Sequence, residues 1–161
     1  MAEDRMAELA TEIQRLKDTE AIKQLRAKYF QYVDAQDWDA WGRDILTEDF
    51  YFDSDGPVVE GRDKVIAFVS SSLANGKTVH HGHMPLIEIT GPDTATGIWA
   101  MNDYVTLQYG GNDIVMRGWG HYYDEYVRTP DGWRLRKCTL TRQRVDTEGV
   151  PDMSVVAEHT A

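Results

Sequence analysis

Five polar residues spread between positions 29 and 142 are of the types that move protons: Tyr29, Asp34, His80, Asp103 and Arg142. A phenol, two carboxylates, an imidazole and a guanidinium gathered in an apolar pocket make up what acid–base catalysis without a cofactor requires. None of the five is informative alone. Their value depends on whether the chain can bring them to one place.

The elements that would do so can be read from periodicity. Leu9, Ile13 and Leu16 recur at helical spacing and predict a helix over 4–16. Asp18 is placed to cap a second helix that runs to about Ala35, with Ile22, Leu25, Tyr29 and Val33 as its apolar stripe. Tyr29 lies on that stripe and Asp34 at its end. A short helix is expected over 38–46, a strand at Phe50, Tyr51 and Phe52, and a further helix over 61–73. From Lys77 onward the pattern is β: runs over 77–90, 94–109, 112–129 and 132–146, separated by Gly91-Pro92-Asp93, Gly110-Gly111 and Pro130-Asp131-Gly132. Turns this short make the strands antiparallel neighbours. The tail over 147–161 has no periodicity. One α+β domain follows, with its core over about 18–146.

Turn positions set the register. Around Gly110-Gly111, facing residue numbers sum to about 221, so Asp103 faces Gly118 and Met101 faces Gly120. Around Pro130-Asp131-Gly132 they sum to about 262, so Arg142 faces Gly120 and Leu140 faces Tyr122. Trp99, Met101, Val105 and Leu107 share a face with Asp103, and a charge on an apolar face needs a partner or a purpose. Gly118 and Gly120, lying between Asp103 and Arg142, suggest the floor of a cavity. The first turn puts residue 80 or 81 opposite Asp103. Plain alternation favours His81, a bulge at Pro85 favours His80, and the residues alone leave that choice open.

Composition narrows the partners. A net charge of −10 over 161 residues argues against a nucleic-acid ligand. One cysteine, Cys138, precludes an internal disulfide and fits a cytoplasmic protein. No stretch reads as a signal peptide or membrane span. His80, His81, His83 and His121 do not form a metal-ligand pattern, because the first three crowd onto one strand whose neighbours point to opposite faces and no helical His spacing or second cysteine supports them.

The segments Glu20-Ala21-Ile22-Lys23, Lys28-Tyr29-Phe30 with Asp34, and Trp38-Asp39 resemble the second helix of SnoaL-like proteins of the nuclear transport factor two superfamily. His80-His81-Gly82-His83-Met84-Pro85 with Ile87, then Thr94 to Trp99 and Asp103, are similar to the bacterial bile-acid 7α-dehydratases. The stretch 104–117 and the tail after Asp146 depart from that branch. The resemblance implies a cone-shaped barrel of a curved, mainly antiparallel sheet wrapped around N-terminal helices, and a homo-oligomer, a trimer before a dimer. It selects His80 over His81.

It also implies a cofactor-free dehydratase acting on a hydrophobic steroid-like or polyketide-like hydroxy-carbonyl compound. In that reading His80 is the base, Asp103 orients it, Tyr29 acts on the developing oxyanion or leaving hydroxyl, Asp34 sets the position and acidity of Tyr29, and Arg142 balances charge or binds a substrate oxygen. Trp99, Met101, Gly118, Gly120, Tyr122, His81 and His121 are expected to shape the substrate end, with no metal. The same residues also fit an isomerase, a polyketide cyclase or a non-catalytic binding protein.

Overall fold

The computed structural model describes residues 1–54, 56–109 and 111–149. Its elements run α1 (Ala2–Ala35), α2 (Trp38–Asp44), β1 (Leu46–Ser54), β2 (Val59–Glu60), α3 (Arg62–Leu73), β3 (Lys77–Gly91), β4 (Thr94–Tyr109), β5 (Asn112–Thr129) and β6 (Gly132–Glu148). The strands form one mixed sheet in the order β2-β1-β6-β5-β4-β3. It is antiparallel except where β1 runs parallel to β6. The sheet curves around α1 in a cone that is left unclosed, with β2 and β3 at its edges. Bulges in β3 and β6 bend the strands inward.

The predicted registers hold. Asp103 faces Gly118, Met101 faces Gly120, and Gly120 in turn faces Arg142. The pairing of β3 with β4 shifts between Gly82 and Pro85, and that shift sets His80 opposite Asp103. Proline cannot donate to the ladder, so the strand slips one position where Pro85 enters.

The helices differ from expectation. The two predicted N-terminal helices are one, continuous from Ala2 to Ala35. Asp18 caps nothing. Its carboxylate accepts hydrogen bonds from Trp133 Nε1 (3.1 Å), Arg128 (2.7 Å) and Gln14 (3.1 Å), pinning mid-helix to β5 and β6. The apolar stripe of the first half simply lies on the opposite side of the helix from that of the second, which makes one helix read as two. α2 stops at Asp44, two residues early, because Ile45 and Leu46 are drawn into the core where Leu135 N–H binds the Ile45 carbonyl. β1 is longer than expected, β2 was not foreseen, and β6 carries on to Glu148; the tail from 150 lies outside the described residues.

Ile22, Leu25, Tyr29 and Val33 bury one face of α1 against the sheet, joined by Trp41, Phe50, Tyr126 and Leu135. Each buried aliphatic chain contributes about 1.5–3 kcal/mol. α1 ends at Gln36, in the left-handed region at φ 56°. The Gln36 amide donates to the carbonyls of Leu73 (3.0 Å) and Gly76 (3.1 Å), which ties the end of α1 to the end of α3 and holds Asp34 beside β3. Among the described residues, no helix is long and apolar enough to cross a membrane.

Candidate active site

A cavity of about 240 Å³ opens between α1, α3 and the inner face of the sheet. Tyr29, His80, Asp103 and Arg142 all line it, together with Phe52, Phe68, Val105 and Leu140. Asp34 stands behind His80. The five residues singled out from the sequence therefore meet at one place, though their pairings differ from expectation.

The carboxylate that orients His80 is Asp34, not Asp103. Asp34 Oδ1 lies 2.7 Å from His80 Nδ1 and accepts from the Thr78 hydroxyl at 2.8 Å, while Oδ2 accepts the His80 backbone N–H at 3.0 Å. Burial pushes the Asp34 carboxyl up, but these hydrogen bonds outweigh it and hold the group below the usual carboxylate range. With Asp34 as acceptor, Nδ1 is the nitrogen that carries the proton in the neutral tautomer, and the ring lone pair then lies on Nε2. Phe30 stacks nearly parallel to the imidazole, 6.4 Å between centroids, and fixes its plane.

Asp103, fully buried, is instead paired with Arg142 by an ion pair. Register put residue 80 or 81 opposite Asp103, and His80 is the one that faces it. Side-chain reach across to β6 decided the partner, and Gly118 on the strand between makes that reach possible. A Cβ at Gly118 would overlap Asp103 Oδ1 and come within 2.8 Å of Arg142 Nε. Gly120 serves another purpose, since a Cβ there would strike the Thr141 carbonyl at the β6 bulge.

Tyr29 is buried, edge-on to Phe30 and Trp41. Burial above all, with Cys138 and others adding to it and Arg26 opposing, raises its phenol well above 10. Asp34 is not what sets that acidity, contrary to expectation. The proton stays on the oxygen, which suits a hydrogen-bond donor.

Of the residues expected to shape the substrate end, Tyr122 lines the cavity. Trp99 and Met101 face inward but lie outside its lining, and Trp99 donates from Nε1 to the Tyr126 hydroxyl at 3.0 Å. His81 and His121 are on the outer face of the sheet, His81 near Asn102 (3.4 Å) and His121 against Tyr123. Strand alternation puts them there, His81 next to inward-facing His80 on β3 and His121 between inward-facing Gly120 and Tyr122 on β5.

One buried cluster escaped the sequence reading. Arg26 and Asp124, both fully buried, form an ion pair at 3.4 Å. The Arg26 guanidinium lies over the rings of Tyr122 (4.0 Å) and Tyr29 (4.2 Å), while Asp124 accepts from the Tyr126 hydroxyl at 2.6 Å. Burial raises the Asp124 carboxyl, with Arg26 pulling against it. The signal was available, for Asp124 alternates in phase with Tyr122 and Tyr126 as Asp103 does with Met101 and Val105. Among the described residues, no group of three or more His, Cys, Asp and Glu side chains could hold a metal.

Comparison with known proteins agrees with this architecture. The fold is shared with a putative scytalone dehydratase from Novosphingobium aromaticivorans (17% identity, TM-score 0.74, covering 84% of this chain and 91% of that one). It is shared also with the hexachlorocyclohexane dehydrochlorinase LinA-type3 from Novosphingobium barchaimii (19%, 0.73, 85% and 94%). A protein of unknown function from Mycobacterium tuberculosis is 27% identical, with TM-score 0.68 over 81% of this chain and 75% of that one. The sequence profile of the SnoaL-like domain matches residues 14–139, and the chain belongs to that family.

Proposed function

We propose that the protein is a cofactor-free lyase that eliminates water from a compact, largely apolar β-hydroxy-carbonyl compound. The observation that carries this reading is the His80–Asp34 dyad, 2.7 Å apart, with His80 on the wall of an apolar cavity that a buried phenol also lines. Two proteins of the same fold are named for eliminations, a dehydratase and a dehydrochlorinase, which supports the reaction class.

His80 Nε2 takes the proton from the carbon beside the carbonyl, and the imidazolium that forms is stabilised by ionised Asp34. Tyr29 donates a hydrogen bond to the oxygen on which charge collects. Its raised pKa favours this role over giving its proton away. The C–O bond of the β-carbon then breaks as the C=C bond forms, and the proton held by His80 passes to the departing hydroxide. One group serves as base and then acid, so hydrogen and hydroxyl leave from the same face. The Arg142–Asp103 ion pair sets a fixed dipole in the wall and adds no net charge.

The volume limits the substrate. About 240 Å³ is below the roughly 300–1,000 Å³ of sites for drug-sized ligands, which favours one or two rings over a tetracyclic steroid. The test is a panel of one- and two-ring β-hydroxy ketones beside 3-oxo steroids, read by mass spectrometry. A product lighter by one water is expected from the small compounds, abolished in His80→Ala and lowered in kcat more than in KM in Tyr29→Phe. A product of unchanged mass would make the enzyme an isomerase or cyclase. Turnover that survives His80→Ala would remove the dyad from the chemistry.

A further inference from the structure

Arg26 is a costly residue for this fold to keep. Its side chain is fully buried, yet Nε and Nη1 find no hydrogen-bond acceptor among the described residues. Its polar contacts are the Asp124 carboxylate at 3.4 Å and, from Nη2, the Cys138 sulfur at 3.8 Å. A guanidinium has five N–H groups to satisfy, and leaving some unpaired in a core is destabilising. Burial works against the charge, but Asp124 outweighs it and the cation is held. An apolar pair in place of Arg26 and Asp124 would serve the core as well. The charge therefore calls for a task.

Its neighbours point to one. The guanidinium carbon stands 4.0 Å from the centre of the Tyr122 ring, 4.2 Å from that of Tyr29 and 5.0 Å from that of Phe30. Tyr29 and Tyr122 line the cavity, and Phe30 is the ring stacked on His80. Asp124 takes no part in the lining, and its carboxylate accepts from the Tyr126 hydroxyl at 2.6 Å. The pair is thus a dipole whose positive end backs the rings of the cavity wall. A cation against a ring face is held there by the ring's electrons, and a positive charge beside a phenol makes its O–H the stronger donor. Burial weakens the Tyr29 O–H as an acid, and Arg26 works against that.

We propose that Arg26 is a positioning residue for Tyr29: stacked on the ring, it holds the phenol at the cavity wall and strengthens its hydrogen bond to an oxyanion. This role rests on the reading of Tyr29 as donor to the oxygen on which charge collects. Arg26 itself moves no proton and touches no substrate.

Two probes test the site without turnover: para-nitrophenol, one ring with an ionisable oxygen, and nitrobenzene, the same ring without it. Calorimetry on the full chain measures both, at a pH where free para-nitrophenol is ionised, and absorbance reads how much of the bound probe keeps its charge. The wild type should prefer the phenolate. Arg26→Met with Asp124→Asn removes both charges and keeps an acceptor for Tyr126. It should cut that preference by about ten- to thirtyfold and leave nitrobenzene binding unchanged. Tyr29→Phe should lose at least as much, and all three changes together no more than Tyr29→Phe alone, since Arg26 acts through that hydroxyl. In the elimination the paired variant should lower kcat by a like factor, with KM within about twofold. Where the paired variant fails to fold, Arg26→Lys replaces it. Its compact ammonium follows Asp124 away from the rings, and the preference must fall at least about threefold. An unchanged preference overturns the proposal. So does a loss that adds to that of Tyr29→Phe, which means a field acting on the oxyanion directly, or an equal loss for nitrobenzene, which means a structural role only. A wild type that binds neither probe overturns it too. A wild type that prefers the phenolate as expected but dehydrates nothing refutes the proposed reaction and leaves the role of Arg26 standing.

Discussion

Asp34→Asn changes one atom of the dyad and tests the assignment of the orienting carboxylate. The wild-type side chain only accepts: Oδ1 from His80 Nδ1 and Thr78, Oδ2 from the His80 backbone N–H. An asparagine must replace one oxygen with NH₂, a donor. If NH₂ takes the Oδ2 place it opposes the backbone N–H and leaves a part-buried donor unpaired, at about 1–3 kcal/mol. If it takes the Oδ1 place it requires Nδ1 as acceptor, so the ring proton moves to Nε2 and the base is lost. The second orientation is the cheaper one, and the imidazolium would also lose its counter-charge. A rate loss of about 10³–10⁴ is expected, by analogy with the wrong-tautomer effect in serine proteases, for a stability loss of only about 1–2 kcal/mol. Nitrogen NMR of the His80 ring reads the tautomer without any substrate: protonated Nδ1 in the wild type, protonated Nε2 in the variant. An unchanged tautomer with a rate loss below about tenfold, or an equal effect from Asp103→Asn, would refute the reasoning.

Gly118→Ala should disturb the cavity wall without replacing a charged residue, because the new methyl group overlaps Asp103 and crowds Arg142. Overpacking of this kind costs about 1–3 kcal/mol, read as a lower urea midpoint, and a midpoint equal to wild type would mean the ion pair has room to move. Alkaline pH offers a second check, since burial raises the phenols of Tyr29, Tyr122 and Tyr126 and the thiol of Cys138. A raised pKa leaves stability intact below the unfolded value and removes it above, so the fall should begin near pH 9–10 and approach about 4 kcal/mol per pH unit for the three phenols. Urea midpoints that stay flat up to pH 11 would place these groups in contact with solvent.

The β-half of the fold was legible because its turns are written in glycine, proline and aspartate, and a turn position determines every facing pair along a hairpin. That arithmetic narrowed the facing residue to His80 or His81 and marked Pro85 as the place of a bulge, while the choice of His80, which the register bears out, came from the family resemblance. It could not assign partners across the gap between helix and sheet. Asp34 meets His80 because Gln36 ties the end of α1 to α3, a packing relation with no local spacing to reveal it. For the same reason Asp103 was matched to the histidine it faces rather than to Arg142, two strands away over a glycine. The parallel pairing of β1 with β6 joins segments far apart in sequence, beyond the reach of hairpin logic.

The buried Arg26–Asp124 pair has a consequence for inheritance. Loss of either partner alone strands a charge in the core at about 3–5 kcal/mol, a large part of the roughly 5–15 kcal/mol that holds a domain folded. Exchange of both for well-packed apolar residues can cost nothing. The two ends of that path are viable and the single steps between them are not, so descendants of this chain keep both residues or replace both. The pair is a mark of common lineage that drift cannot easily erase one residue at a time.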